Sequence, residues 1–175
     1  MDSIKNIVLT GFMMAGKTSV GKELARIIGY DFVDTDAMIV RKEGKEITDI
    51  FAEYGEEYFR NVESEMAGVA SKLKNVVVST GGGMVLRKEN ITKLRENGVV
   101  VNLEITGAVI KKRLEKEREK RPLIKNSDYD AVLKKLEARK EFYDNCDYKI
   151  IVSDKKGVIA HAEEIVELLK RNGEI

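Results

Sequence analysis

Residues Gly11-Phe12-Met13-Met14-Ala15-Gly16-Lys17-Thr18 satisfy the pattern Gly-x-x-x-x-Gly-Lys-Ser/Thr. Glycines at the two ends let the backbone turn so tightly that successive N–H groups point at phosphate oxygens. Lys17 can then reach the β- and γ-phosphates of a nucleotide, Thr18 can give its hydroxyl to Mg²⁺, and a helix starting there adds favourable dipole charge. Average residue frequencies produce this pattern by chance about once in a hundred chains of this length. The expected nucleotide site comprises Gly11, Met14, Ala15, Gly16, Lys17, Thr18 and Ser19.

Three further groups carry chemistry. Asp34 and Asp36 are two residues apart, and in an extended segment alternate side chains project to the same side. One carboxylate could hold hydrated Mg²⁺, which takes few protein ligands. The other could accept a hydrogen bond from a substrate hydroxyl and take its proton. Asp36 could instead simply cap the helix after it, although a pair of aspartates facing a phosphate loop favours the catalytic reading. Gly81-Gly82-Gly83 would let the main chain approach a ligand closely, or could be only a flexible turn. Arg60 has Glu63 one helical turn later, a pairing that by itself suggests a surface ion pair.

The elements that would position these groups follow from the apolar pattern. Short runs rich in β-branched residues at 4–10, 30–33, 76–80, 99–103 and 148–152 predict five strands. Helical spacing predicts helices over 17–28, 37–42, 47–73 with a break near Gly55, 87–97, 107–120, 128–143 and 158–171. Strands that alternate with helices imply right-handed crossovers and a parallel sheet, and strands that are apolar throughout imply helices on both faces. The expected fold is a three-layer α/β/α sandwich around a central five-stranded parallel sheet. Ligands of such sheets bind beyond the carboxyl ends of the strands, where the phosphate loop, the aspartate pair and the glycine triplet all fall.

With 175 residues, 43% of them hydrophobic, the chain fits one domain with a sizeable core. Lys+Arg 31 against Asp+Glu 30 nearly cancel, which argues against a nucleic-acid binder. Residues 1–6 carry no long apolar stretch and no apolar run reaches about 18 residues, so no membrane segment is expected. Cys146 is the only cysteine, which suits a reducing compartment. The expectation is a cytoplasmic monomer.

The constellation resembles the shikimate kinase family, whose fold is that of P-loop kinases such as the nucleoside monophosphate kinases. The matching residues are Gly-Phe-Met-x-Ala-Gly-Lys-Thr at 11–18, Asp34-x-Asp36, Phe59-Arg60-x-x-Glu63, Gly81-Gly82-Gly83, Arg121-Pro122-Leu123 and Arg139. The resemblance implies transfer of the ATP γ-phosphate to the 3-hydroxyl of shikimate, on the route to chorismate and the aromatic amino acids. It implies that Asp36 binds the ring hydroxyls and serves as base, and that Arg60 and Arg139 hold the shikimate carboxylate. The Gly81, Gly82 and Gly83 backbone would close over the ring, Glu63 would orient Arg60, and Asp34 would hold Mg²⁺ with Thr18. A substrate-binding region would span about 34–63 and a lid about 113–126. Arg121 would reach the ATP phosphates during transfer and Arg113 would stack near the adenine. One position departs from the family pattern: Met14 stands where glycine is common, and methionine tolerates positive φ less well than glycine.

A kinase for gluconate or for a nucleoside monophosphate would share the phosphate loop and the sheet, but gives no reason to combine Asp36, Arg60, the triple glycine and Arg139. A nucleotide-binding regulatory module that had lost turnover would be expected to lack Lys17, Asp36 or Arg60, and all three are present. His161, the only histidine, lies far from every motif and is expected to be structural or on the surface. Cys146 has no metal-ligand pattern around it and is expected to be a partly buried bystander.

Overall fold

The computed structural model describes residues 5–120 and 129–175. Five strands, β1 (Asn6–Thr10), β2 (Asp31–Asp34), β3 (Val76–Ser79), β4 (Gly98–Glu104) and β5 (Tyr148–Ile151), form one parallel sheet in the order β2-β3-β1-β4-β5. The register sets Ile7 against Val77 and Val99, Val8 against Val78 and Val100, and Leu9 against Ser79 and Val101. All five residues of β1 are buried and so are all four of β3. A strand covered on both faces has no solvent side to alternate toward, which is why these segments read as unbroken apolar runs.

The helices are α1 (Lys17–Ile28), α2 (Thr35–Glu43), α3 (Ile47–Ala70), α4 (Lys88–Arg95), α5 (Gly107–Lys120), α6 (Tyr129–Tyr143) and α7 (Val158–Arg171). Within α3 the chain kinks at Gly55, whose φ of 81° and ψ of 176° leave the helical region, at the glycine where the sequence pattern breaks. A short 3₁₀ turn, Met84–Leu86, precedes α4. That turn takes up part of the segment expected to be helical, and α4 is correspondingly shorter than 87–97.

The main core surrounds the sheet, with Leu24 of α1, Ile110 of α5 and Ile165 of α7 fully buried against it. A separate, smaller core holds α2 to α3: Ile39, Ile50, Phe59, Val62 and Met66 pack together, and the Phe51 and Phe59 rings lie 4.5 Å apart. The buried apolar side chains between Asp34 and Met66 therefore pack on one another, while α3 rejoins the sheet's core through Ala67 and Ala70. The chain leaves β1 toward β2 on one side and leaves β3 toward β4 on the other. Between the carboxyl ends of β1 and β3 it opens the crevice that a parallel sheet offers to a ligand.

Candidate active site

The loop from β1 to α1 has the shape its glycines permit. Gly11 takes φ 151°, and a Cβ there would sit 2.7 Å from the Leu103 carbonyl oxygen; Gly16 takes φ 86° as the residue that caps α1. Met14 also lies in the left-handed region, at φ 68°. The loop thus keeps its curled path in spite of the methionine, at a conformational penalty of about 1 kcal/mol that glycine would not incur. Ala15 is buried behind the loop, while Met14, Gly16, Lys17, Thr18 and Ser19 line a cleft of about 330 Å³ shared with Asp34, Asp36, Thr80, Gly81 and Gly82.

Lys17 is folded back into this loop, donating from Nζ to the carbonyls of Gly11 at 2.7 Å and Phe12 at 3.1 Å. Burial lowers its ammonium to a pKa of about 8, against the opposing pull of Asp36 and Asp34. A nucleotide phosphate at the loop would give this buried cation an anionic partner.

The aspartates divide their work differently from the sequence expectation. Asp34 ends β2 and caps α2, with Oδ1 accepting from the N–H groups of Asp36 at 3.0 Å and Ala37 at 3.2 Å. Its Oδ2 accepts from the Thr18 hydroxyl at 2.9 Å, and the Ser79 hydroxyl lies 3.5 Å from Thr18. Asp36 is not the cap, nor do the pair share an extended segment, because Asp36 already lies in the first turn of α2. They reach the same cleft because one closes the strand and the other opens the helix. Relieved of capping, the Asp36 side chain faces Gly81. Burial, reinforced by the neighbouring charge of Asp34, raises its carboxyl above the usual carboxylate range, while Lys17 and Arg60 pull it down.

Thr18 and Asp34 are both hard oxygen donors on the phosphate loop's rim. Among the described residues no group of three or more His, Cys, Asp or Glu side chains gathers as a metal site. A single hydroxyl and a single carboxylate oxygen suit a cation that keeps most of its waters and binds phosphate oxygens, as Mg²⁺ does.

Opposite the phosphate loop, α3 presents Arg60. Its Nη1 donates to Glu63 Oε2 at 2.8 Å and its Nη2 to Glu56 Oε1 at 3.3 Å, and its guanidinium stands 5.3 Å from the Phe59 ring centroid. Glu63 is 1% exposed, so this is a buried pair rather than a surface one. Burial raises the Glu63 carboxyl, with Arg60 opposing. Among the described residues, two buried atoms of the pair, Arg60 Nε and Glu63 Oε1, have no hydrogen-bond partner. Buried polar groups are nearly always satisfied, so each such exception calls for a partner that these side chains do not supply themselves, a water, an ion or a ligand. The glycine triplet leaves space for this arrangement. A Cβ on Gly81 would collide with Asp36 Oδ1 and stand 3.2 Å from Glu63 Oε1, and a Cβ on Gly83 would fall on the Arg60 guanidinium.

Arg139, on α6, is half-buried and near enough to Glu63 and Tyr143 to influence both electrostatically. Arg113, on α5, donates to the Met14 carbonyl and, from Nε and Nη2, to Asp154 Oδ1 at 3.1 and 3.0 Å. It therefore stands at the rim of the phosphate loop. Arg121 lies outside the described residues, as does the part of the expected lid from 121 to 126. His161 is buried, its Nε2 accepting from the Ser153 N–H at 3.2 Å and its Nδ1 3.0 Å from the Gly157 carbonyl, a structural tie at the start of α7. Cys146 is half-buried, and burial raises its thiol.

The sequence reading missed Thr35, whose buried hydroxyl accepts from the Gly81 N–H at 3.0 Å. It also missed Asp154 and Tyr143. A cavity of about 350 Å³ behind Phe12 and Tyr143, beyond the carboxyl end of β4, is lined among the described residues by none of the predicted site residues.

A parallel sheet with a phosphate loop after its first strand, a carboxylate pair after its second and a glycine turn after its third defines a P-loop small-molecule kinase. The model of the family described as shikimate kinase matches residues 13–170, and the chain belongs to the shikimate kinase family. It is 44% identical over 164 residues to a shikimate kinase of Caldanaerobacter subterraneus subsp. tengcongensis, covering 93% of this chain and 95% of that protein. It is 47% identical over 148 residues to one of Caldicellulosiruptor bescii, covering 84% and 86%. Among solved structures, shikimate kinase from Acinetobacter baumannii in complex with shikimate superposes with a TM-score of 0.85 at 32% identity, covering 98% of this chain and 96% of that one.

Proposed function

We propose that this chain transfers the γ-phosphate of ATP to the 3-hydroxyl of shikimate, giving shikimate 3-phosphate and ADP. The observation that carries the reading is the buried Arg60–Glu63 pair, with Arg60 Nε and Glu63 Oε1 unsatisfied and with Asp36 beside it across the cleft from the phosphate loop. An acid bearing ring hydroxyls supplies what these atoms lack. Its carboxylate pairs with the guanidinium groups of Arg60 and Arg139, which bond carboxylates in a planar fork. Its hydroxyls meet Asp36.

In the transfer, the 3-oxygen forms a bond to the γ-phosphorus, the bond from that phosphorus to the β,γ-bridging oxygen breaks, and the hydroxyl proton passes to Asp36. The raised proton affinity of Asp36 suits that last step. Lys17 and the loop N–H groups hold the phosphates. Phosphoryl transfer needs little beyond positioning and charge neutralisation. Thr18 and Asp34 hold Mg²⁺, which would neutralise phosphate charge when bound. Arg113 borders the nucleotide at the loop rim, and Arg121 is assigned to the phosphates on the family pattern alone. We take the chain as one kinase domain, with about 34–63 as its substrate-binding region, working as a cytoplasmic monomer.

A coupled ADP-release assay with ATP and Mg²⁺ tests this, comparing shikimate with gluconate, AMP and no acceptor. Turnover with shikimate alone is expected, abolished by EDTA. Equal turnover of another acceptor, or none with shikimate, overturns the substrate assignment.

A further inference from the structure

Tyr143 ends α6, and the acceptor chemistry gives it no role, yet it touches several parts of the site. Its ring is buried and meets the Phe12 ring of the phosphate loop edge-on, 6.3 Å between centroids and 88° between planes. Its hydroxyl donates to the Gly82 carbonyl at 2.6 Å. The Arg139 guanidinium, one helical turn earlier, stands beside that hydroxyl.

The bond to Gly82 gains weight from the rest of the turn. The Gly81 carbonyl accepts from the Met84 N–H at 3.1 Å and the Gly83 carbonyl from the Leu86 N–H at 3.0 Å, both local. The Gly81 N–H is held by Thr35. The Gly82 carbonyl alone is held by a side chain from the far side of the cleft. Among the described residues the N–H groups of Gly82 and Gly83 meet no acceptor. A peptide unit is planar and trans, so the Gly82 carbonyl and the Gly83 N–H point in opposite directions from one rigid plate. Between two glycines that plate can flip with little steric resistance. A donor that fixes the carbonyl therefore fixes where the N–H points.

We propose that Tyr143 is a positioning residue for the phosphoryl acceptor: its hydroxyl draws the Gly82 carbonyl toward α6 and so aims the Gly83 N–H at the bound acid. Tyr143 then sets affinity for the acceptor and leaves nucleotide binding alone. The inference rests on the acceptor reading above.

Tyr143→Phe is the test, because it keeps the ring against Phe12 and removes only the hydroxyl. A donor lost from a binding turn weakens ground and transition states alike, which raises KM and spares kcat. The expected result is a KM for shikimate raised roughly five- to tenfold, about the effect of one neutral hydrogen bond, with kcat and the KM for ATP within about twofold. Tyr148→Phe, which removes a hydroxyl bonded to Glu174 at 3.1 Å away from the cleft, is expected to change neither constant. An unchanged KM for shikimate in Tyr143→Phe overturns the proposal. So do parallel losses for both substrates with a lowered Tm, because they mark a merely structural tyrosine. Wild-type protein that fails to turn over shikimate overturns the acceptor reading and this inference with it. Wild-type turnover with an unchanged variant overturns this inference alone.

Discussion

Alanine at Gly83 should disable the acid-binding end of the cleft without touching a charged residue. Gly83 sits at φ −96° and ψ −2°, a conformation alanine adopts freely, so the substitution acts through space alone. The new Cβ would fall on the Arg60 guanidinium, 2.6 Å from Cζ and 2.7 Å from Nη2. The guanidinium ends a flexible side chain and can swing aside, so the steric term is small. The swing breaks the 2.8 Å bond from Nη1 to Glu63 Oε2. Arg60 and Glu63 side chains are 11% and 1% exposed, so water screens this bond little, and a hydrogen bond to a charged group contributes about 1.5–3 kcal/mol. For a domain of this size that corresponds to a fall in Tm of roughly 3–12 °C. Misplacing the same guanidinium removes a charge-assisted contact to the acceptor's carboxylate, and KM for shikimate should rise roughly ten- to a hundredfold with KM for ATP unchanged. Gly82→Ala is the matched control. Its nearest neighbours would be Met13 N at 3.5 Å and Gly11 O at 3.9 Å, ordinary contacts, and its φ is not positive, so Tm should move by no more than about 2 °C. Steady-state kinetics and thermal melts read both. If Gly83→Ala leaves Tm and KM unchanged, Arg60 does not occupy the space described. If Tm falls while KM holds, Arg60 does not bind the acceptor.

Asp36→Asn should lower kcat about a hundredfold or more while nucleotide affinity, measured by calorimetry with ADP, stays within about threefold; near-wild-type turnover would remove Asp36 from the chemistry. Lys17, with its pKa held near 8 by burial, predicts a pH dependence. Its folded-state value lies below the ordinary one, so the free protein sheds this proton as pH rises through 8, and the nucleotide prefers the charged form. KM for ATP should be flat below pH 8 and rise about tenfold by pH 9, and a flat profile through pH 9 would refute the assignment. By the same linkage, Lys17 should make the free fold gain stability between about pH 8 and the unfolded lysine value.

Much of this site was legible because its strongest signals are local. The Gly11–Thr18 loop announces its turn, its cation and its hydroxyl within a few residues, and the five strands stand out because burial on both faces makes them continuously apolar. Gly55 marked the kink in α3 for the same local reason. What escaped notice was set by local choices that the sequence leaves open or by partners distant in sequence. Nothing near Asp34 says that it, rather than Asp36, takes the cap, since either carboxylate can serve an N-terminus. The Arg60–Glu63 spacing fits an exposed ion pair as well as a buried one, and the sequence does not show that the Gly81–Gly83 turn packs against it. Tyr143 ends an amphipathic helix and looks like any core aromatic, because its bond to Gly82 joins positions 61 residues apart.

The free cleft is poorly satisfied in a consistent way. Lys17 spends its charge on carbonyls of its own loop, Asp36 and Glu63 are carboxyls raised by burial, and among the described residues Arg60 Nε and Glu63 Oε1 have no partner. Buried groups left in this state reduce the stability of the free fold. Each deficit names its remedy: an anion at Lys17, hydroxyl donors at Asp36 and Glu63, a carboxylate at Arg60. One ligand cannot supply them all, because Lys17 lies on the phosphate loop and Arg60 across the cleft on α3. On the proposed function a nucleotide would supply the first and a hydroxylated acid the others, and Asp36 feels the charges of both cations. Two ligands then meet at Asp36 on that function, and the reacting hydroxyl and phosphorus are brought together there. Binding both would satisfy these groups in the geometry that the transfer requires.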